Sequence, residues 1–174
     1  MNQDLINQHL NAIAKKDDDV KKAIQLVGYP GPRIREPGFE TFLSTIVGQQ
    51  ISTHAASAIL QRVRKLLPKM QPGELLELDQ QALREAGLSA RKVEYAQGLA
   101  TAIVDGSFDP QALSVMSDQQ AIDSITALRG FGVWSAEIYL MFSLQREDIF
   151  PKDDLALQVG LQKLKQLAHR PTPQ

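Results

Sequence analysis

Two features of this chain are of the kind that do chemistry. The first is a carboxylate pair, Asp153-Asp154, at the head of an apolar stripe. Asp154, Leu157, Leu161, Leu164 and Ala168 follow the 3-4-3-4 spacing of one helix face. Asp153 shares its side with Ala156, Gly160 and Lys163 and is the more natural N-cap. An aspartate at a helix start is usually a cap, but a helix needs only one. Asp154 is therefore expected to face inward, where a carboxylate requires a reason. The N-terminal end of the helix would help keep it ionised there.

The second feature is Leu128-Arg129-Gly130-Phe131-Gly132-Val133-Trp134-Ser135-Ala136, with two glycines between two helical patterns. Ala121, Ile122, Ile125 and Leu128 fall at helical spacing, so one helix is predicted to run into Arg129. Ser117-Asp118-Gln119-Gln120 reads as the capping box that starts it. Gly130 stands where a C-terminal cap needs a positive φ. Gly132 would let the backbone turn again and approach a ligand closely. The next helix begins near Val133, with Ala136, Leu140 and Met141 or Phe142 as its buried side. Its first amides have no partner within the helix, and with the helix dipole they suit a phosphate. The same pattern also suits a plain αα-hairpin closed by a glycine cap. A phosphate grip with a carboxylate beyond it would be a nucleic-acid site with chemistry beside the grip.

The elements that must position these residues are helical almost throughout. Helices are predicted over 5–14, 20–27 and 39–47, with a Pro/Gly-rich loop over 28–38. Gly48-Gln49-Gln50-Ile51-Ser52 interrupts the pattern, and Ser52 caps a helix that stops before Pro68. Short helices follow over 72–78 and 79–86, the second capped by Asp79 and ended by Gly87. Ser89 opens another to about Val104, and Asp109-Pro110 starts a brief one. The hairpin follows, and then a last helix over 153–168. No alternating strand pattern, internal repeat or low-complexity tract is evident.

Bulk properties set limits. A length of 174 residues fits one domain or two small lobes sharing a core. The net charge is -1, so any grip on DNA must come from local geometry and a few placed cations. The absence of cysteine excludes a disulfide framework, a thiol nucleophile and an iron–sulfur cluster. The amino terminus lacks the pattern of a signal peptide, and no apolar run is long enough to span a bilayer. His9, His54 and His169 have no metal-ligand spacing. Arg62, Arg64, Lys65 and Lys69 read as a solvated helix face or, alternatively, as contacts to a DNA backbone.

Together, Ile46-Val47-Gly48-Gln49-Gln50-Ile51-Ser52, the Leu128 to Ala136 hairpin and Asp148-Ile149-Phe150-Pro151-Lys152-Asp153-Asp154-Leu155 carry a resemblance. Gly87-Leu88-Ser89-Ala90-Arg91-Lys92 adds a weaker match. In order and spacing the chain resembles the helix-hairpin-helix DNA glycosylases, most closely the DNA-3-methyladenine glycosylase II family, in a compact form without an N-terminal β lobe. The resemblance implies an all-α, two-lobed bundle forming one glycosylase domain over 1–174. Lobe one would be 1–37 plus 149–174, and lobe two 38–148 with the hairpin over 118–144. It implies excision of alkylated purines such as 3-methyladenine from duplex DNA by base flipping.

The resemblance also implies roles. Asp154 matches the catalytic aspartate, the residue that the helix-face argument also selects. It would stabilise an oxocarbenium-like sugar or orient a water. Trp134 stands where strand-nicking relatives hold a Schiff-base lysine, which implies a monofunctional enzyme. Its indole would stack on a cationic base or, alternatively, fill the core. Tyr139 is a second pocket candidate, also open to a core reading. Gly130, Gly132, Val133, Ser135, Gln49, Gln50, Ile51 and Ser52 would contact DNA, with Gln50 or Ile51 as the wedge. For single residues of that loop, a polar helix–helix turn is the other reading. No cofactor is required; backbone oxygens of Thr126, Leu128 and Phe131 would hold any sodium or potassium ion taken up at the hairpin.

The implied partner is damaged double-stranded DNA, met as a monomer away from membranes. The expected location is the cytoplasmic nucleoid of a bacterium or the nucleus of a eukaryote. Family members usually continue past a Pro-rich turn into further helices after the aspartate, whereas this sequence ends at Arg170-Pro171-Thr172-Pro173-Gln174. A tail that packs on the first lobe and closes the pocket is thus expected to be missing. That leaves two alternatives to the enzyme: a catalytically impaired DNA-binding hairpin module, or a helical interaction domain.

Overall fold

A computed structural model describes residues 2–172. Met1 and the last two residues of the tail, Pro173 and Gln174, lie outside the described residues. All regular structure among the described residues is helical. In chain order the helices are α1 (Gln3–Ala14), α2 (Asp18–Val27), α3 (Phe39–Gly48), α4 (Thr53–Leu66), α5 (Pro72–Glu77) and α6 (Gln80–Glu85). Then come α7 (Ala90–Val104), a 3-10 turn (Ala112–Val115), α8 (Asp118–Thr126), α9 (Val133–Phe142) and α10 (Leu155–Leu164).

The chain forms two compact units, one of Met1–Ile34 with Gln145–Gln174 and one of Arg35–Leu144. The continuous unit holds the core. Phe39, Phe42, Leu43, Ile46 and Val47 recur at helical spacing and form the buried side of α3. Phe42 is its centre. Its ring stacks on Tyr139 at 4.2 Å and meets Phe108 and Phe131 edge-on at 5.3 and 5.4 Å. Helix α7 packs against α3, α5 and α6 and buries Val93, Ala96, Leu99 and Ala100.

Local chemistry sets most of the helix starts. Ser52, Asp79, Ser89 and Ser117 each cap through a side-chain oxygen, and Ser117 with Gln120 completes the capping box. The brief helix expected at Asp109-Pro110 begins later. The Asp109 side chain accepts from the Gln111 amide at 2.8 Å and forms a turn first. The 3-10 turn then opens at Ala112.

The discontinuous unit consists of α1 and α2 packed on each other and α10 packed on α2. None of these three helices contains a fully buried residue. The side of α10 below Asp154, with Leu157, Leu161 and Leu164, is half-buried, while Ala156, Gly160 and Lys163 on the other side are exposed, as is Ala168 beyond the helix. Lys165 ties the two chain segments together. Its ammonium donates to Asp17 at 2.6 Å and to Asp19 at 3.0 Å. Helix α10 is shorter than the predicted 153–168 at both ends. At the far end Gln166 takes φ +51, and the Leu167 amide closes back onto the Gln162 carbonyl at 3.0 Å. That is a left-handed C-terminal closure formed without glycine.

Candidate functional site

In the continuous unit, α3 ends at Gly48 and the chain turns sharply before α4. Gln49 is the C-cap of α3. Gln50 follows at φ +58, a left-handed conformation that non-glycine residues rarely adopt. Ser52 then caps α4 by accepting from the Ala55 amide. Two side chains hold this turn from outside. Gln49 Nε2 donates to the Gly130 carbonyl at 2.7 Å. Lys92 Nζ donates to the Val47 carbonyl in the last turn of α3 at 2.8 Å. Burial pulls the Lys92 amine below the ordinary lysine value.

The hairpin is formed by α8, a turn and α9. Helix α8 ends at Thr126 and not at Arg129, and the turn runs from there to Gly132. Gly130 has φ +98, and a Cβ added there would lie 2.4 Å from the Tyr95 ring. Glycine is thus required for both its backbone angle and its space. Gly132 differs from expectation. Its φ of -109 is extended backbone open to any residue, and a Cβ there would meet nothing within 4 Å. Its contribution is open space in front of the first amides of α9, where no side chain provides a cap. Val133 is exposed, while Ser135 is buried beneath it. Arg129 pairs with Glu94 of α7 at the hairpin's outer edge.

These segments border one open cavity of about 1170 Å³. Its wall brings together Gln49, Gln50, Ile51, Gly130, Trp134 and Ser135 from the expected set. Trp134 is 42% exposed on that wall, so it does not fill the core. Tyr139 does: it is 4% exposed and lies against Phe42. Its hydroxyl accepts from the Gly38 amide at 3.1 Å, and burial pushes the phenol pKa up. Tyr139 is a core residue and not part of this cavity wall, which corrects its assignment as a pocket residue. Sequence reasoning quoted Lys92 in the Gly87 to Lys92 match without a role and missed Tyr95; both line the cavity. Their spacing of three on α7 was the available signal.

Asp154 belongs to the discontinuous unit, at the head of α10. Its Oδ1 accepts from the Leu157 amide at 2.8 Å, so Asp154 is the N-cap. Asp153 is exposed in the preceding turn. The expected division of labour is reversed, because the turn after Pro151 gives Asp154 the extended ψ of 115° that a cap requires. The Asp154 amide donates to the Pro151 carbonyl at 2.9 Å and anchors that turn. Asp154 is half-buried.

The expected basic face of α4 divides. Arg62 donates to the Ala86 carbonyl at 2.7 Å, at the end of α6. Arg64 pairs with Glu40 at 2.7 Å, and Lys65 is exposed. Among the described residues no group of three or more His, Cys, Asp or Glu side chains could hold a metal ion. Among the described residues no helix is long and apolar enough to cross a membrane.

With the geometry established, the chain can be set beside known proteins. Residues 43–174 match the family model of the HhH-GPD superfamily base excision DNA repair proteins. The chain is 31% identical over 172 residues to DNA-3-methyladenine glycosylase 1 of Schizosaccharomyces pombe, covering 94% of this chain and 74% of that protein. It is 32% identical over 142 residues to the DNA-3-methyladenine glycosylase of Saccharomyces cerevisiae, covering 76% of this chain and 48%, about half, of that protein. Among solved structures, the S. pombe 3-methyladenine DNA glycosylase in complex with abasic DNA superposes with a TM-score of 0.81 at 30% identity. The match covers 90% of this chain and 80% of that one.

Proposed function

This chain belongs to the HhH-GPD superfamily of base excision DNA repair proteins, and on that premise we propose that it is a monofunctional DNA glycosylase of the 3-methyladenine type. It extrudes an alkylated purine from duplex DNA and hydrolyses the N-glycosidic bond. The observation that carries this reading is the gathering of the 49–51 turn, Gly130 and Trp134 on one open cavity. An exposed indole on a cavity wall is suited to stack on an electron-poor ring. Because Trp134 occupies the position of a Schiff-base lysine, the proposed chemistry stops at base removal.

Asp154 is the proposed catalytic carboxylate. A charge-assisted bond from the Leu157 amide and the dipole of α10 favour its ionised form. An ionised carboxylate stabilises an oxocarbenium-like sugar or orients the attacking water. An alkylated purine is cationic and departs neutral, so little help from a general acid is needed. The N-terminal end of α9, beginning at Val133, would hold a DNA phosphate. Gln50 or Ile51 would fill the gap left by the extruded base. The backbone oxygens of Thr126, Leu128 and Phe131 are hard donors that fit a monovalent cation. The Leu128 oxygen accepts from the Phe131 amide at 3.1 Å and retains a second lone pair for such an ion. When bound, that cation would supply positive charge toward a phosphate. The proposed working form is a monomer on damaged duplex DNA.

The test is release of free base from a duplex bearing methylated purines, by the wild type and by Asp154→Asn. Asparagine caps a helix as well as aspartate does, so the variant keeps α10 and loses only the charge. The wild type is expected to release base and leave an intact abasic strand, while the variant binds and releases at least ~100-fold more slowly, the scale of a lost electrostatic group. Equal rates would refute the role of Asp154. Binding without release by either protein would favour the non-enzymatic hairpin module.

A further inference from the structure

Helix α7 presents Lys92 and Tyr95 three residues apart, on one face. Lys92 donates to the Val47 carbonyl, one of the carbonyls left without a helical partner at the end of α3. A cation there also complements the α3 dipole. Tyr95 fills the space that a Cβ at Gly130 would need. Gln49, the C-cap of α3, closes the ring by donating to the Gly130 carbonyl. The circuit runs from α7 to the end of α3, across Gln49 to the hairpin, and through Tyr95 back to α7. The next residue after Gln49 is Gln50, with its left-handed φ of +58. Such conformations persist only when their surroundings over-determine them.

We propose that Lys92 is a positioning residue, which fixes the end of α3 so that the 49–51 turn is held in its strained, base-opening conformation against the hairpin. This rests on the glycosylase reading above. The rival role for a lysine on a cavity wall is direct contact with a DNA phosphate, and the two separate cleanly. A phosphate contact weakens binding to every duplex and lowers the salt slope of log K by about 0.9 when removed. A positioning residue leaves that slope unchanged and acts on extrusion.

Lys92→Met keeps the aliphatic stem and removes the ammonium, while Lys92→Arg keeps a donor for the Val47 carbonyl. Extrusion is read from 2-aminopurine fluorescence in a duplex carrying that base beside a methylated purine, and base release from single-turnover rates. Lys92→Met is expected to lower both at least tenfold with an unchanged salt slope, and Lys92→Arg to restore most of the loss. A slope lowered by about one unit, or wild-type extrusion by Lys92→Met, overturns the proposal. So does a failure of Lys92→Arg to restore extrusion. A DNA-free measurement separates this from the glycosylase reading itself: amide exchange at residues 49–52 is expected to rise at least tenfold in Lys92→Met, with α8 unaffected. If the wild type extrudes and releases nothing, the glycosylase reading fails while the exchange result still decides the brace. Unchanged exchange there sinks the brace.

Discussion

Gly130→Ala tests the hairpin most directly. The substitution meets two separate penalties. At φ +98 an L-residue is strained, at a cost of about 1–3 kcal/mol. The new methyl also lands 2.4 Å from Tyr95 Cδ2 and 2.6 Å from Cγ. Ring carbons cannot yield as the tip of a flexible side chain does, so overpacking adds about 1–3 kcal/mol. The sum of about 2–6 kcal/mol is a large part of the 5–15 kcal/mol that holds a typical domain. Thermal unfolding followed by circular dichroism is expected to show a drop on the order of 10 °C. Tyr95→Ala in the same background identifies the cause, since it removes the ring and leaves only the backbone term. The double variant should then be more stable than the sum of the single changes predicts, by about 1–3 kcal/mol. Effects that add to within about 0.5 kcal/mol would refute the collision. A melting point within a degree of wild type would refute both penalties.

Trp134→Ala is expected to leave the fold near wild-type stability, because the ring is 42% exposed. Affinity for a duplex with a methylated purine should fall about 5- to 150-fold, the equivalent of 1–3 kcal/mol of stacking per base, with undamaged duplex unaffected in a gel-shift titration. The Lys165 tie predicts a pH window. The bond from Lys165 holds the Asp17 carboxyl below its ordinary 3.8. The partner carboxylates, Asp17 first, hold the Lys165 ammonium above its ordinary 10.5. A lowered carboxyl pKa stabilises fully above its unfolded value and is lost as pH falls through the lower folded value. A raised ammonium pKa stabilises fully below its unfolded value and is lost as pH rises through the higher folded one. Amide protection in α2 and α10 should therefore be flat between about pH 4 and pH 10 and fall on either side. Lys165→Ala should remove the dependence, and a variant that retains it would exclude this pair as its source.

What the sequence made legible was local. Ser52, Asp79, Ser89 and Ser117 cap helices through atoms within three residues of themselves, so their types and spacing sufficed. For Trp134 the sequence left stacking surface and core filling both open, and its exposure on the cavity wall decides against the core. What was not legible depends on distant partners. Tyr139 becomes a core residue because Phe42 stacks on it and Gly38 meets its hydroxyl. The Gln49 bond to Gly130 spans 81 residues, and the Lys92 bond to Val47 spans 45. The reversal between Asp153 and Asp154 has a different origin. Either residue type can cap, and only the backbone path after Pro151 decides which one does.

The discontinuous unit has a consequence for how the molecule is made. Its helices α1 and α2, of 12 and 10 residues, are made before the continuous unit. Each is too short to persist alone in water, and neither contains a buried residue. Their partner α10 is made only after the continuous unit, and Lys165 reaches Asp17 across 148 residues of chain. The continuous unit, complete by Leu144, can fold during synthesis, whereas α1 and α2 must wait with their apolar sides uncovered. Docking of α10 thus comes after the continuous unit has been made. The same step sets in place the helix that Asp154 caps, so the proposed catalytic carboxylate is positioned only after the continuous unit is in place.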